Sequence, residues 1–253
     1  WDRHGYAISS DAAGDIWIQT YYGLGKNLDY IIDNGRQKGQ EDYMGASLAL
    51  KAYMFQSCTD YHGEIIFNEA FKEGTYYFKY DTQDIVYKGI DSICRLAITY
   101  LDIAANKTST NSLYIGDYVY KGDVAKWKKF VYGILARSHN HISNKSIYKA
   151  DSVIYYTNLA MKETADDAMV KFAATALSAT NNFFGPFRAN FGGTGITAPT
   201  ALRQSAFIAN LMSGLNTAFP GVKDPRAIYL LRLNNNLTFK GIEPNKGQTA
   251  LAV

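Results

Sequence analysis

The four histidines are His4, His62, His139 and His141. A zinc pair on a helix needs its two rings one turn apart, as in His-Glu-x-x-His, so that both reach one ion. His139 and His141 are two residues apart in a helical stretch and diverge by about 200°. His62 falls in a turn and His4 near the start of the chain, so no metal site is expected. The acid pairs Asp81/Asp84 and Asp166/Asp167 raise glycoside hydrolysis, which needs two carboxylates held at a set separation across a cleft. Sequence spacing does not supply that separation. Asp81 and Asp84 also stand where a helix begins, and carboxylates there stabilise the exposed N–H groups. Gly23-Leu24-Gly25 lies inside a helical pattern instead of following a strand, and Gly192-Gly193-Thr194-Gly195 lacks the Gly-Lys-Ser/Thr ending of a phosphate loop. No Gly-x-Ser-x-Gly elbow is present. The chain reads as a non-enzyme with no cofactor.

Binding chemistry is better represented. The segment 181–193, NNFFGPFRANFGG, places amide and guanidinium donors beside flat aromatic rings. A polyhydroxylated ligand needs rings for its C–H faces and donors for its hydroxyls. Asn182, Phe184, Phe187, Arg188 and Asn190 are therefore the candidate ligand contacts. In the alternative reading the phenylalanines anchor a loop while Asn and Gly make its turns. Trp1 and the region around Tyr61 are further candidates. The 20 tyrosines suit sugar stacking as well as ordinary packing.

These residues need elements to hold them. Trp17, Tyr21, Leu24, Leu28 and Ile31 recur at helical spacing and predict a helix over about 12–34, stopped by Asn34-Gly35. Gly23 and Gly25 weaken it by about 1 kcal/mol each or permit close packing. A second helix is expected at about 42–60, with Leu48, Ala52, Phe55 and Cys58 in its apolar pattern. Residues 63–80 are turn-rich, and IIF and TYYFKY there are short strands or extended loop. Asp81 is expected to cap a third helix, about 82–105, with Ile90, Ile93, Ala97, Leu101 and Ala104 on one face. Asp123 caps a fourth, about 124–143, with Trp127, Val131, Ile134 and Ser138 on the apolar stripe and Lys126, Lys128 and Lys129 off it. A fifth, about 147–163, would complete a hairpin with the dimensions of one tetratricopeptide unit. Residues 173–200 show no helical period, a sixth helix is expected at about 200–214, and the tail from 232 is polar. Cys58 and Cys94 permit one disulfide, but both sit in apolar helical patterns and read as buried thiols.

The string Asp117-x-x-Tyr120-x-Gly122-Asp123, three residues, then Lys126-Trp127-x-Lys129-Phe130 resembles a signature of the SusD/RagB family. Further matches follow in the family's order. Tyr61-His62-Gly63-Glu64-Ile65-Ile66 stands where the family has Tyr-x-Gly-Asp-hydrophobic-Pro, with Glu for Asp and no Pro. Residues 80–102 resemble the next family helix, and Asp224-Pro225-Arg226 the family's Asp-Pro-Arg segment. The resemblance implies a mainly α fold of stacked helical hairpins with tetratricopeptide-like units plus an irregular, loop-rich segment. It implies one SusD-like domain over 1–253, without the signal and lipidated cysteine of the family's N-terminus and without its C-terminal part. In function it implies an outer-membrane, cell-surface protein, lipid-anchored in full-length form, that hands a glycan to a TonB-dependent SusC-like transporter. The alternative is a tetratricopeptide-like scaffold for a protein or peptide.

Composition is compatible with this and excludes other classes. A net charge of +3 is too small for a nucleic-acid or anionic-membrane surface. No apolar run reaches the roughly 18 residues of a membrane-spanning helix.

Overall fold

A computed structural model describes residues 14–107, 112–170, 204–234 and 236–243. The architecture is helical, and among the described residues β-pairing is confined to isolated bridges. By internal contacts the chain divides into two compact units, residues 11–170 and residues 1–10 with 171–253.

The unit 11–170 contains α1 (Gly14–Ile18), a π-helical turn (Gln19–Leu24), α2 (Gly25–Lys38), α3 (Glu41–His62), α4 (Gln83–Ala105), α5 (Val124–His141) and α6 (Ala150–Leu159). α3 is the centre. It packs against α2, α4 and α5, and α5 packs in turn against α4 and α6. Leu48, Ala52, Phe55 and Cys58 of α3 meet Ile90, Cys94, Ala97 and Leu101 of α4 and Trp127, Val131 and Ile134 of α5 in one buried cluster. Cys58 and Cys94 are buried free thiols, and burial pushes the Cys94 thiol up to about 12.

Three local expectations are corrected. The first helix does not stop at Asn34-Gly35. Gly35 is buried, and a Cβ there would stand 2.7 Å from the Met44 side chain, so this glycine serves close packing. The stop is Gly39, in the left-handed region at φ 63°. The stripe begun at Trp17 also drifts: Leu24 is exposed, and Ile32 is buried in place of Ile31. The π-helical turn holds more residues per turn than an α-helix, so it rotates the face that follows. Third, Thr82 precedes α4 as its cap residue, while Asp81 ties down the loop before it.

The connection from α4 to α5 is built on Asp117. Its carboxylate accepts from the N–H groups of Val119 at 2.8 Å, Tyr120 at 3.0 Å and Gly122 at 2.9 Å, and from Trp127 Nε1 at 2.7 Å. Gly122 has φ 82°, and a Cβ would lie 2.7 Å from Tyr114 N, so this position requires glycine. Asp123 then caps α5, accepting from Ala125 N and Lys126 N. Trp127, Val131, Ile134 and Ser138 are all buried as the spacing predicts. The off-stripe lysines bind outward: Lys126 donates to Ala165 O, Lys128 pairs with Asp102, and Lys129 pairs with Asp166. α6 is shorter than expected and buries none of its own residues, although Ala160, just past its end, is buried.

In the other unit, α7 (Ala206–Ser213) packs on α8 (Ala227–Leu230). A parallel bridge joins Ser205 to Ile242 and an antiparallel one joins Leu233 to Phe239.

Candidate functional site

Asn182, Phe184, Phe187, Arg188 and Asn190, and likewise Trp1, lie outside the described residues. Within them, aromatic residues gather where α3 ends and the 63–81 loop begins.

The loop is held rigidly at its base. Gly63, at φ 77°, ends α3 with its N–H on Thr59 O. Ile65 and Asp81 then exchange backbone hydrogen bonds of 3.2 and 2.8 Å. The Asp81 carboxylate accepts from Phe67 N, Asn68 N and Asn68 Nδ2 at 3.2, 2.8 and 2.9 Å. Burial alone would raise the Asp81 pKa, but the Asn68 and Phe67 donors outweigh it and hold the carboxyl below its usual range. Tyr21 donates to Ile66 O at 2.6 Å, and burial pushes its hydroxyl pKa well up.

Two phenylalanines of this loop, Phe67 and Phe71, point inward. Phe67 meets Phe55 edge-on with centroids 4.9 Å apart, and a Cβ on Gly89 would lie 2.1 Å from the Phe67 ring. Phe71 adopts φ 65°, a conformation costly for a bulky residue. Its ring fills the space left by Gly25, where a Cβ would stand 1.9 Å away, and the Lys51 ammonium lies 5.8 Å from its centroid.

Trp17, itself partly buried against the core, stacks on the half-exposed Tyr80, with centroids 5.9 Å apart and an angle of 20°. It meets His62 edge-on at 5.4 Å and Tyr21 at 4.6 Å. His62 Nε2 is buried without a hydrogen-bond partner among the described residues. Tyr80 is half exposed, and Tyr22, Tyr61, Tyr76 and Tyr77 are exposed, the last two at 93% and 92%. Each lies within four residues of a ring in the Trp17 cluster. The π-helical turn that carries Tyr21 and Tyr22 begins two residues after Trp17, and π turns occur frequently at functional sites.

The arrangement suits stacking and hydrogen bonding. Three nearby carboxylates are engaged: Asp60 with Tyr87, Glu69 with Lys79 N, Glu73 with Lys26. The sequence pointed to Tyr61, put Trp17 on a packing stripe, where it does pack partly against the core, and read Tyr80 as part of a short strand or extended loop. The available signal was the concentration of tyrosine in TYYFKY within a segment of no regular period.

His139 and His141 do diverge. His141 Nδ1 lies 3.0 Å from Tyr87 Oη and 3.3 Å from Asp60 Oδ2, while the His139 ring lies 5.1 Å from that of Tyr156. Among the described residues no cluster of histidine, cysteine and acidic side chains could hold a metal ion. In the other unit, an open groove of about 440 Å³ runs beside Leu211, Phe219, Val222 and the Asp224-Pro225-Arg226 segment. Arg226 is committed there to Asp224 at 2.7 Å, and this contact holds the carboxyl down at about 2.

Comparison with known proteins agrees with this architecture. The family model SusD-like_2, described as starch-binding associating with outer membrane, matches residues 1–249. A chitin-binding SusD homolog from Flavobacterium johnsoniae superposes with a TM-score of 0.72 at 19% identity, over 94% of this chain and 46% of that one. For a SusD homolog from Bacteroides uniformis the TM-score is 0.68 at 23% identity, over 88% and 43%. A SusD/RagB family protein from Bacteroides thetaiotaomicron gives 0.57 at 28% identity, over 66% and 35%. The chain thus spans less than half the length of each of these structures. No curated protein matches.

Proposed function

The chain belongs to the SusD-like family, and from that membership we propose that it captures a glycan at the outer membrane and delivers it to a TonB-dependent, SusC-like transporter. The full-length protein would be held at the cell surface by an N-terminal lipid. The family is described as associating with the outer membrane and binding starch, and one structural neighbour is a chitin-binding protein. The observation that carries the reading for this chain is the aromatic cluster of the partly buried Trp17, His62 and the half-exposed Tyr80, with exposed tyrosines close to it in sequence. Sugar rings present apolar C–H faces and peripheral hydroxyls. An exposed tyrosine offers a complementary ring and a hydroxyl that donates and accepts. The role is binding without bond cleavage.

Residues 181–193 remain a second proposed contact, through Asn182, Phe184, Phe187, Arg188 and Asn190. The test is calorimetric titration of the full chain with malto-, chito-, cello- and xylo-oligosaccharides, repeated on Trp17→Ala and on Phe184→Ala. Micromolar to millimolar binding to one series, weakened in Trp17→Ala, supports the reading. No binding to any series, with co-purification of a protein partner instead, favours the scaffold reading, which the exposed Ile154 and Tyr155 of α6 would serve.

A further inference from the structure

Residues 69–79 project from the anchored loop as a finger, and its construction differs from that of the aromatic cluster that Trp17 makes with Tyr80. Its base is closed by one bond: Lys79 N donates to the Glu69 carboxylate at 2.8 Å. Its flank is held by the ion pair between Lys26 of α2 and Glu73, 2.8 Å long, with both side chains largely in water. Its tip is a local turn in which the Thr75 hydroxyl donates to Tyr77 O at 2.9 Å. Phe71 stands at the base in the left-handed conformation, at φ 65°.

The distribution of aromatic residues along this loop carries the argument. Phe67 and Phe71, which have no polar group, are packed against Phe55, Gly89 and Gly25. Tyr76 and Tyr77 keep more than nine-tenths of their surface in water. An exposed ring contributes almost no burial to folding, so these two tyrosines do little for the stability of the loop that holds them. The turn geometry at Thr75 and the closure at Glu69 fix where they are presented.

We propose that Tyr76 and Tyr77 are glycan-stacking residues, presented by the 69–79 finger that leads in the chain to Tyr80, and that Glu69 is a positioning residue for them. This rests on the glycan-binding reading. Contacts at the tip would add to those at Trp17, so the site would prefer oligosaccharides long enough to reach both. Glu69 acts only through the Lys79 N–H. Glu69→Gln, whose amide oxygen accepts the same bond, should behave as the native chain, and Glu69→Ala should not.

The experiment is titration of the full chain with hexaoses and disaccharides of the maltose, chitin, cellulose and xylose series, alongside thermal melts. For the series that binds, Tyr76→Ala and Tyr77→Ala should each weaken hexaose affinity by about three- to tenfold. The double variant should lose more, with an unchanged melting temperature. Tyr76→Phe and Tyr77→Phe should retain most of the affinity, because the ring is kept. Glu69→Ala should weaken hexaose binding several-fold, with rescue in Glu69→Gln. Hexaose affinity unchanged in the double alanine variant, while Trp17→Ala loses it, overturns the finger and leaves the glycan reading intact. Native chain that binds none of the series overturns both.

Discussion

The α4–α5 connection and the α3–α4 connection are each tied to one buried aspartate, Asp117 in the first and Asp81 in the second. Both carboxylates collect backbone and side-chain donors, and in both those donors outweigh burial and depress the carboxyl pKa. Both connections carry exposed tyrosines, Tyr114 and Tyr118 in the first and Tyr76 and Tyr77 in the second, but their inward-facing rings do different things. Around Asp117, Tyr120 and Trp127 turn inward, meet edge-on at 5.2 Å and are 6% and 3% exposed. Around Asp81, Phe67 and Phe71 turn inward while Tyr76 and Tyr77 face water. The same anchoring device thus makes a structural joint in one place and a presented surface in the other. If so, damage to the first should cost stability, and damage to the second should cost binding.

Trp127→Ala carries the largest expected effect. It empties a core site and removes a donor from Asp117, and should cost about 3–5 kcal/mol in chemical denaturation. Asp117→Asn comes next. The Asp117 oxygen that accepts from Gly122 N and Trp127 Nε1, or its twin, would become an NH2 group facing donors. A loss of about 2–4 kcal/mol is expected. The native joint is also acid-sensitive. Because the folded pKa of Asp117 is depressed, its contribution is present above the unfolded value of about 3.9 and is lost as pH falls below that through the folded value. Melting curves between neutral pH and pH 3 should show this decline, and Asp117→Asn should flatten it.

Gly25→Ala bridges the two regions. Its methyl group would collide with the Phe71 ring, at a cost of about 1–3 kcal/mol from overpacking, partly offset by better helix propensity. Displacing Phe71 should also disturb the finger, so affinity should fall even where the variant is fully folded. Lys26→Ala removes only an exposed ion pair and should leave the melting temperature nearly unchanged.

The stability-bearing joint was the more legible of the two in the amino-acid sequence. Trp127, Val131, Ile134 and Ser138 follow the helical period, and Asp123 sits where a cap must be. Local rules suffice there because the stripe and the cap belong to one helix. The presented surface depends on contacts distant in sequence. Trp17, His62 and Tyr80 come from three segments, and no periodicity links them. Asp81 precedes a helix and so reads as a cap, yet its donors come from residues 67 and 68. Gly25 reads as a helix-weakening or close-packing residue and Gly35 as a helix stop until Phe71 and Met44 are seen packed against them. The π-helical turn rotated a stripe that a uniform period extrapolates wrongly.

The most direct test of the central claim uses the three tryptophans, Trp1, Trp17 and Trp127. In a chain carrying Trp1→Phe and Trp127→Phe, emission comes from Trp17 alone. Titration with an oligosaccharide that binds the native chain should shift or quench that emission with the same midpoint that calorimetry gives. Emission that stays constant across a calorimetrically confirmed binding curve would contradict the account and remove the Trp17 surface as the site of capture.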